Sequence, residues 1–294
     1  MYKNLRTESL GISGHDCELI ELALSFGFRG LDLDISEFAQ RVRARGLAHA
    51  RRLTDSAKLK LSTFALPVNL DDVEGTYQRD LSRLPELVEL AATVGCTRAR
   101  VAIEPASDTR PYHDNFEVHR RRLSELANLL KSHDVRLGVE FFGQAGRRAG
   151  RPFEFIHQLD AVVVLVNTVR ADNLGIVVDL WQLFASSGRV DDIRKLAPRQ
   201  IVTVDLADAP AGRPHEAVAD SDRLLPGEGG AIDSAAALVT LAELGYDGPV
   251  TPCAHPQRFR GMSREKIVRA TSEALGTAWK TAGLSASGKL SARA

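Results

Sequence analysis

Three acidic residues close three successive apolar runs between residues 136 and 205 of this 294-residue chain. Glu140 ends Arg-Leu-Gly-Val-Glu (136–140), Asp179 ends Gly-Ile-Val-Val-Asp (175–179) and Asp205 ends Ile-Val-Thr-Val-Asp (201–205). A carboxylate at the end of a buried run is costly unless it is paired or holds a metal, so the three read as one site. A fourth run, Gly-Pro-Val-Thr-Pro-Cys-Ala-His-Pro (248–256), puts Cys253 at the corresponding place and His255 two residues on. Three oxygen donors suit Mg or Mn, whereas Cys253 with His255 would favour zinc in a mixed site. If the strand continues, His255 shares the side of Cys253 and can supply a nitrogen; otherwise it faces the rim or caps a helix. The rival to any metal is a cleft in which Arg or Lys neighbours pair with the carboxylates.

These residues need a scaffold that gathers strand ends. The runs are short, β-branched and without two-residue alternation, as in parallel strands buried on both faces. Similar runs recur every 30–40 residues, roughly at 4–10, 29–35, 59–65, 98–103, 135–141, 174–179, 200–206 and 249–252. Helical patterns lie between them, near 15–26, 37–56, 76–94, 115–133, 152–167, 190–196 and 233–244, with a last one at 264–282. Gly27-Phe-Arg-Gly30, Gly95-Cys-Thr and Gly245-Tyr-Asp-Gly248 supply the glycine stops between helix and strand. Eight strands alternating with eight helices predict an α/β fold, a single (β/α)8 TIM barrel over 1–283, with a disordered tail at 284–294. The long segment 205–232 predicts a functional wall or lid at the C-terminal mouth, with Asp208, Pro210 and Glu228 as loop architecture.

Composition narrows the partners. The formal net charge is zero and 26% of residues are charged, which argues against a nucleic-acid or membrane surface. Arg120, Arg121 and Arg122 read as the solvated face of a helix. Three cysteines leave one unpaired under any disulfide scheme. No signal peptide and no run of about 18 apolar residues is seen, so the chain is expected in the cytoplasm with reduced thiols.

The chain resembles the xylose isomerase-like barrels grouped as sugar phosphate isomerases/epimerases. The resemblance rests on Asn115-Phe-Glu-Val-His119 through Leu137-Gly-Val-Glu-Phe141, Asp208-Ala-Pro-Ala-Gly212, Asp222 to Gly230 and Gly245-Tyr-Asp-Gly-Pro249. It implies a divalent ion, commonly Mn, Mg, Co or Zn, held by Glu, Asp, His and Glu from four late strands. Glu140 and Asp179 match the first two ligands. Asp205 stands where the histidine would be, Cys253 where the second glutamate would be, and Gln182 replaces a further histidine.

The reaction implied is proton transfer next to a carbonyl, with two glutamates as acid and base. Glu140 can serve as ligand and base, and Cys253 as a proton carrier with a free-thiol pKa of about 8.5. Substrate contacts are expected from Arg100 or Arg98 on the fourth strand, from Phe142, Trp181 and Gln182 beside the carboxylates, and from Arg223. Arg258 is expected to anchor an anionic group; Phe142 and Trp181 can equally be core. The leading expectation is a sugar isomerase/epimerase-like enzyme acting on a polyol or keto-sugar, paired as a homo-oligomer. The alternatives are a lyase or dehydratase acting on a keto-sugar or inosose, and a non-catalytic carbohydrate-binding barrel that has lost the metal site.

Overall fold

The computed structural model describes residues 1–291. Eight parallel strands carry the fold: β1 Tyr2–Leu5, β2 Gly30–Leu31, β4 Arg98–Ile103, β5 Arg136–Phe141, β6 Leu174–Asp179, β7 Ile201–Leu206 and β8 Pro249–Pro252, with β3 at 60–65 paired in two pieces, Lys60–Leu61 and Phe64–Ala65. The first piece of β3 pairs with β2 and the second with β4. Between them the order runs β2, β1, β8, β7, β6, β5, β4. Both ends of the sheet thus lie on one short run of chain, and the sheet closes into a barrel. All six positions of β6 and of β7 are buried, the pattern expected of barrel strands packed on both faces. Register places Asp205 beside Asp179 and Thr251, and Glu140 beside Ala102.

Helices cover the outside: α1 Asp16–Ser25, α2 Ile35–Arg45, α3 Leu47–Ala57, α4 Glu74–Leu81, α5 Leu84–Thr93, α6 Tyr112–Lys131, α7 Leu159–Val169, α8 Leu180–Ala185, α9 Ser234–Glu243 and α10 Arg264–Thr281. Two of the helices expected from the sequence are each split. Gly46, at φ +80°, parts α2 from α3, a conformation only glycine takes without strain. Pro85, in the first turn of α5, lacks the N–H that a helix continuing from α4 would need. The expected helix at 152–167 begins only at 159, and that at 190–196 is a 3-10 turn.

Two strand ends also shift. β1 ends at Leu5 rather than running to 10, because Glu8–Leu10 form a 3-10 turn closed by Gly11 at φ +68°. Arg6 therefore leaves the strand at its mouth end. β2 likewise stops at Leu31, which leaves Asp32 at the mouth.

Loop 207–232 is organised by Asp208, fully buried. Its carboxylate accepts from the backbone N–H groups of Ala209, Gly229, Gly230, Ala231 and Ile232 at 2.7–3.1 Å. The tail expected to be disordered makes contacts within its described part. Leu284 bridges to Leu290, and the Trp279 indole donates to the Ser285 carbonyl. Arg122, expected in solvent, is buried at 1% exposure. No helix among the described residues is long and apolar enough to cross a membrane.

Candidate functional site at the barrel mouth

The three strand-end carboxylates meet. Glu140, Asp179 and Asp205 each offer an oxygen within 4.8 Å of the others, a group that could hold a divalent cation. Each is also held by arginine. Arg6 forks onto Asp205, its Nη1 on Oδ1 at 3.1 Å and its Nη2 on Oδ2 at 2.8 Å, and Nη2 reaches Cys253 Sγ at 2.9 Å. Arg100 bridges two carboxylates, donating to Asp205 Oδ2 at 3.1 Å and to Glu140 Oε2 at 2.6 Å. Arg223 donates to Asp179 Oδ2 at 2.8 Å. The other oxygen of Asp179 caps α8, accepting from the N–H groups of Trp181 and Gln182 at 2.9 and 3.3 Å.

Three guanidiniums against three carboxylates make the centre neutral in its fully charged form. Such burial is tolerable only because every charge has a partner. A bound cation would compete with the guanidiniums for the same oxygens.

Burial sets the protonation. It pushes Glu140 up to about 7, aided by the Asp205 charge and opposed by Arg6. Asp179 rises to about 6 for the same reason, with Arg223 opposing. The Cys253 thiol is pushed up to about 12, burial outweighing Arg6. It is therefore a neutral thiol near pH 7, and it donates toward the Thr251 carbonyl at 3.6 Å. Arg6 stays charged: burial works against it, and Asp205 together with Cys253, Asp32 and Glu140 more than offsets that.

Two cavities open on this centre and share Glu140. The larger, about 1200 Å³, lies over the ends of β1–β3 and includes Arg6, Asp32, Thr63, Arg100 and Glu140 in its wall. The smaller, about 210 Å³, lies over the β5–β8 side and includes Phe142, Arg147, Gln182, Arg223 and His255.

The remaining expected residues fall into distinct places. His255 does not join the carboxylate group; its Nδ1 accepts from the Gln257 N–H at 3.3 Å and caps a 3-10 turn, while it borders the small cavity. Phe142 borders the same cavity beneath Arg147, whose guanidinium sits 3.7 Å from the ring centre. Gln182 braces the turn after β5 by accepting from the Gly143 N–H at 2.9 Å. Trp181 is fully buried and serves as a plate behind Arg223, 5.0 Å from its guanidinium, so it offers no free face to a sugar. Arg258 borders neither cavity and pairs with Glu228 across the loop. The residues that sequence reasoning did not single out are Arg6, Asp32 and Arg147. The first two lie just past the true ends of the first and second strands, inside apolar runs that continue beyond them.

A family model described as xylose isomerase-like TIM barrel matches residues 20–277. The chain belongs to the xylose isomerase-like TIM barrel family. Within 154 residues it is 29% identical to an inosose isomerase of Bacillus licheniformis, the match covering 51% of each chain. The chain thus spans about half the length of that curated relative. A solved xylose isomerase domain protein of Alicyclobacillus acidocaldarius superposes with a TM-score of 0.86 at 26% identity, covering 96% of this chain and 99% of that one. A structure described as IOLI protein with a binding zinc atom matches in fold, with a TM-score of 0.79 at 17% identity over 96% of this chain and 98% of that one.

Proposed function

We propose that this chain is a sugar isomerase/epimerase-like enzyme that acts on a small keto-polyol, of which an inosose is the first to test. Glu140 would abstract the proton next to the carbonyl. The observation that carries the reading is the position of Glu140. It lines both cavities, 16% exposed, and its carboxyl is brought up to about 7 although the Arg100 guanidinium touches it. A base poised near neutral pH suits proton transfer at carbon. The names of the curated relatives, inosose isomerases, agree with the substrate class.

The step is simple in outline. The C–H bond next to the carbonyl breaks, its proton passes to a Glu140 oxygen, and its electron pair moves toward the carbonyl oxygen. Arg6 and Arg100 stand in the wall of the large cavity with their charge already oriented, and they meet the developing enediolate. A divalent cation would be held by Glu140, Asp179 and Asp205; the all-oxygen set favours Mg or Mn over zinc, and the ion would polarise the carbonyl. Asp205 orients both guanidiniums, and Gln182 fixes the turn that follows Glu140.

A dehydratase is the second reading. Elimination needs the same base, and the neutral Cys253 thiol offers an acid on the β8 side. The test is proton NMR of 2-keto-myo-inositol and a panel of keto-sugars in D2O. Deuterium entering the carbon beside the carbonyl, with an isomeric product, is expected. It should fall by at least about 100-fold in Glu140→Gln. An unsaturated product would favour elimination, and no exchange with any panel member would overturn both.

A further inference from the structure

Inverting a carbon next to a carbonyl needs proton carriers on both faces of the substrate. Cys253, at the end of β8, is poorly placed for the second. It borders the small cavity and not the larger one, its Sγ lies against Arg6, and its own hydrogen points to the Thr251 carbonyl.

Asp32 stands on the other side of the mouth. It follows β2, and Glu140 ends β5; around the barrel these strands are three apart one way and five the other. The two carboxyls therefore belong to opposing walls, and both border the cleft of about 1200 Å³. Arg6 and Arg100 border the same cleft, where they can meet an oxygen of a substrate held between the walls.

Asp32 differs from the other acids of the mouth in one respect. Glu140, Asp179 and Asp205 are each paired with arginine. Among the described residues Asp32 has no such pair; it is held by the neutral Asn4, whose Nδ2 donates to Oδ1 at 2.7 Å. Asn4 in turn is fixed by Thr251, its Nδ2 donating to the hydroxyl at 2.9 Å. Burial brings this carboxyl up to about 7, outweighing the opposing pull of Arg6. An acid that needed only to balance charge would have an arginine of its own. This one is oriented by a neutral amide and left able to exchange a proton.

We propose that Asp32 is the second proton-carrying residue of the site. On an inosose or related keto-polyol seated between the β2 and β5 walls, Glu140 takes the proton from one face and Asp32 delivers a proton to the other. The proposal rests on the isomerase/epimerase reading above. In balance, the C–H electron pair first moves onto the carbonyl oxygen as Glu140 takes the proton. The enediolate then returns its pair to the same carbon, which takes the Asp32 proton and is inverted. Glu140 ends protonated and Asp32 ionised, and solvent resets both.

The test compares wild type, Asp32→Asn, Asp32→Glu and Glu140→Gln on 2-keto-myo-inositol in D2O. Deuterium entering the recovered ketone and formation of the epimeric inosose are followed separately by NMR. In Asp32→Asn, exchange into the recovered ketone should stay within about threefold of wild type while epimer formation falls about 100-fold, the usual share of a general acid. Asp32→Glu should recover part of the inversion. Glu140→Gln should lose both signals. Thermal melting of Asp32→Asn within a few degrees of wild type separates a chemical effect from misfolding. Epimer formation at the wild-type rate in Asp32→Asn overturns the proposal, as does parallel loss of exchange and inversion in a folded variant. A wild-type protein that exchanges no deuterium overturns the function reading for inososes and this inference with it.

Discussion

Among the described residues, arginine is buried on the flank of this barrel and at its mouth, with different balances of partner. On the flank, Arg122 donates to the main-chain carbonyls of Leu70 and Asp72, each at 2.7 Å, and to Glu74 at 2.9 Å, with its guanidinium 4.2 Å over Tyr77. At the mouth, Arg6, Arg100 and Arg223 are held mainly by carboxylates at strand ends. Carbonyl partners cannot titrate or leave, so the flank arginine is a rivet. The carboxylates at the mouth can take a proton, a cation or a substrate hydroxyl, so those arginines are part of an arrangement that can change.

The two carboxylate partners diverge in the same way. Glu74, half exposed, is pulled down to about 2, chiefly by its hydrogen bonds from Arg121 and Arg122. Glu140, 16% exposed, is pushed up to about 7 although Arg100 touches it. Pairing alone does not set the direction: where water still solvates the carboxylate, arginine dominates, and where it does not, desolvation wins.

The strongest way to break this contrast is to remove the shared acceptor. Asp205→Ala leaves Arg6 and Arg100 without their common partner and should cost about 3–5 kcal/mol in denaturant unfolding. Arg122→Met should cost less, about 1–3 kcal/mol, since it leaves unpaired carbonyls rather than unpaired charge. A larger loss in Arg122→Met would erase the distinction.

Next comes pH. Glu140 has its folded pKa raised, so its contribution is fully present below the unfolded value of about 4.3. It is lost as pH rises through about 7. Its share of the fall in wild-type stability across that window should be on the order of 3–4 kcal/mol, and Glu140→Gln should remove that share while Asp32 and Asp179, also raised, keep theirs. Glu74 works in reverse: its contribution is present above the unfolded value and is lost as pH falls toward about 2. Urea unfolding of Glu140→Gln and Glu74→Gln across pH should therefore change opposite limbs.

The smallest expected effect concerns cations. Arg100→Met should bind Mn about tenfold more tightly than wild type, a gain of about 1.4 kcal/mol, because oxygens of Glu140 and Asp205 are released. The change is read by titration calorimetry. An unchanged or weaker affinity would mean that Arg100 does not compete for those oxygens.

Much of the site was legible because carboxylates at the ends of unalternating apolar runs demand partners. Glu140, Asp179, Asp205, Arg100 and Arg223 all meet at the mouth. A run of three arginines reads as a solvated helix face, and the carbonyls at 70 and 72 with the Glu74 carboxylate, brought in from another part of the chain, make the burial of Arg122 tolerable. Arg6 and Asp32 were missed for a local reason. Apolar pattern locates a strand more reliably than its end, and here Gly11 and a 3-10 turn stop β1 early.

By itself the sequence determined the barrel, the order of its strands and the acids at their mouth ends. Those follow from local period and from the cost of burying an unpaired charge. Only the tertiary structure decided which cations answer those acids, how far Cys253 is from being a thiolate, and that Asp32 faces the cleft opposite Glu140. Each depends on side chains brought together from distant strands, where distance and exclusion of water set the energy. Neither quantity is written in the spacing of residues along the chain.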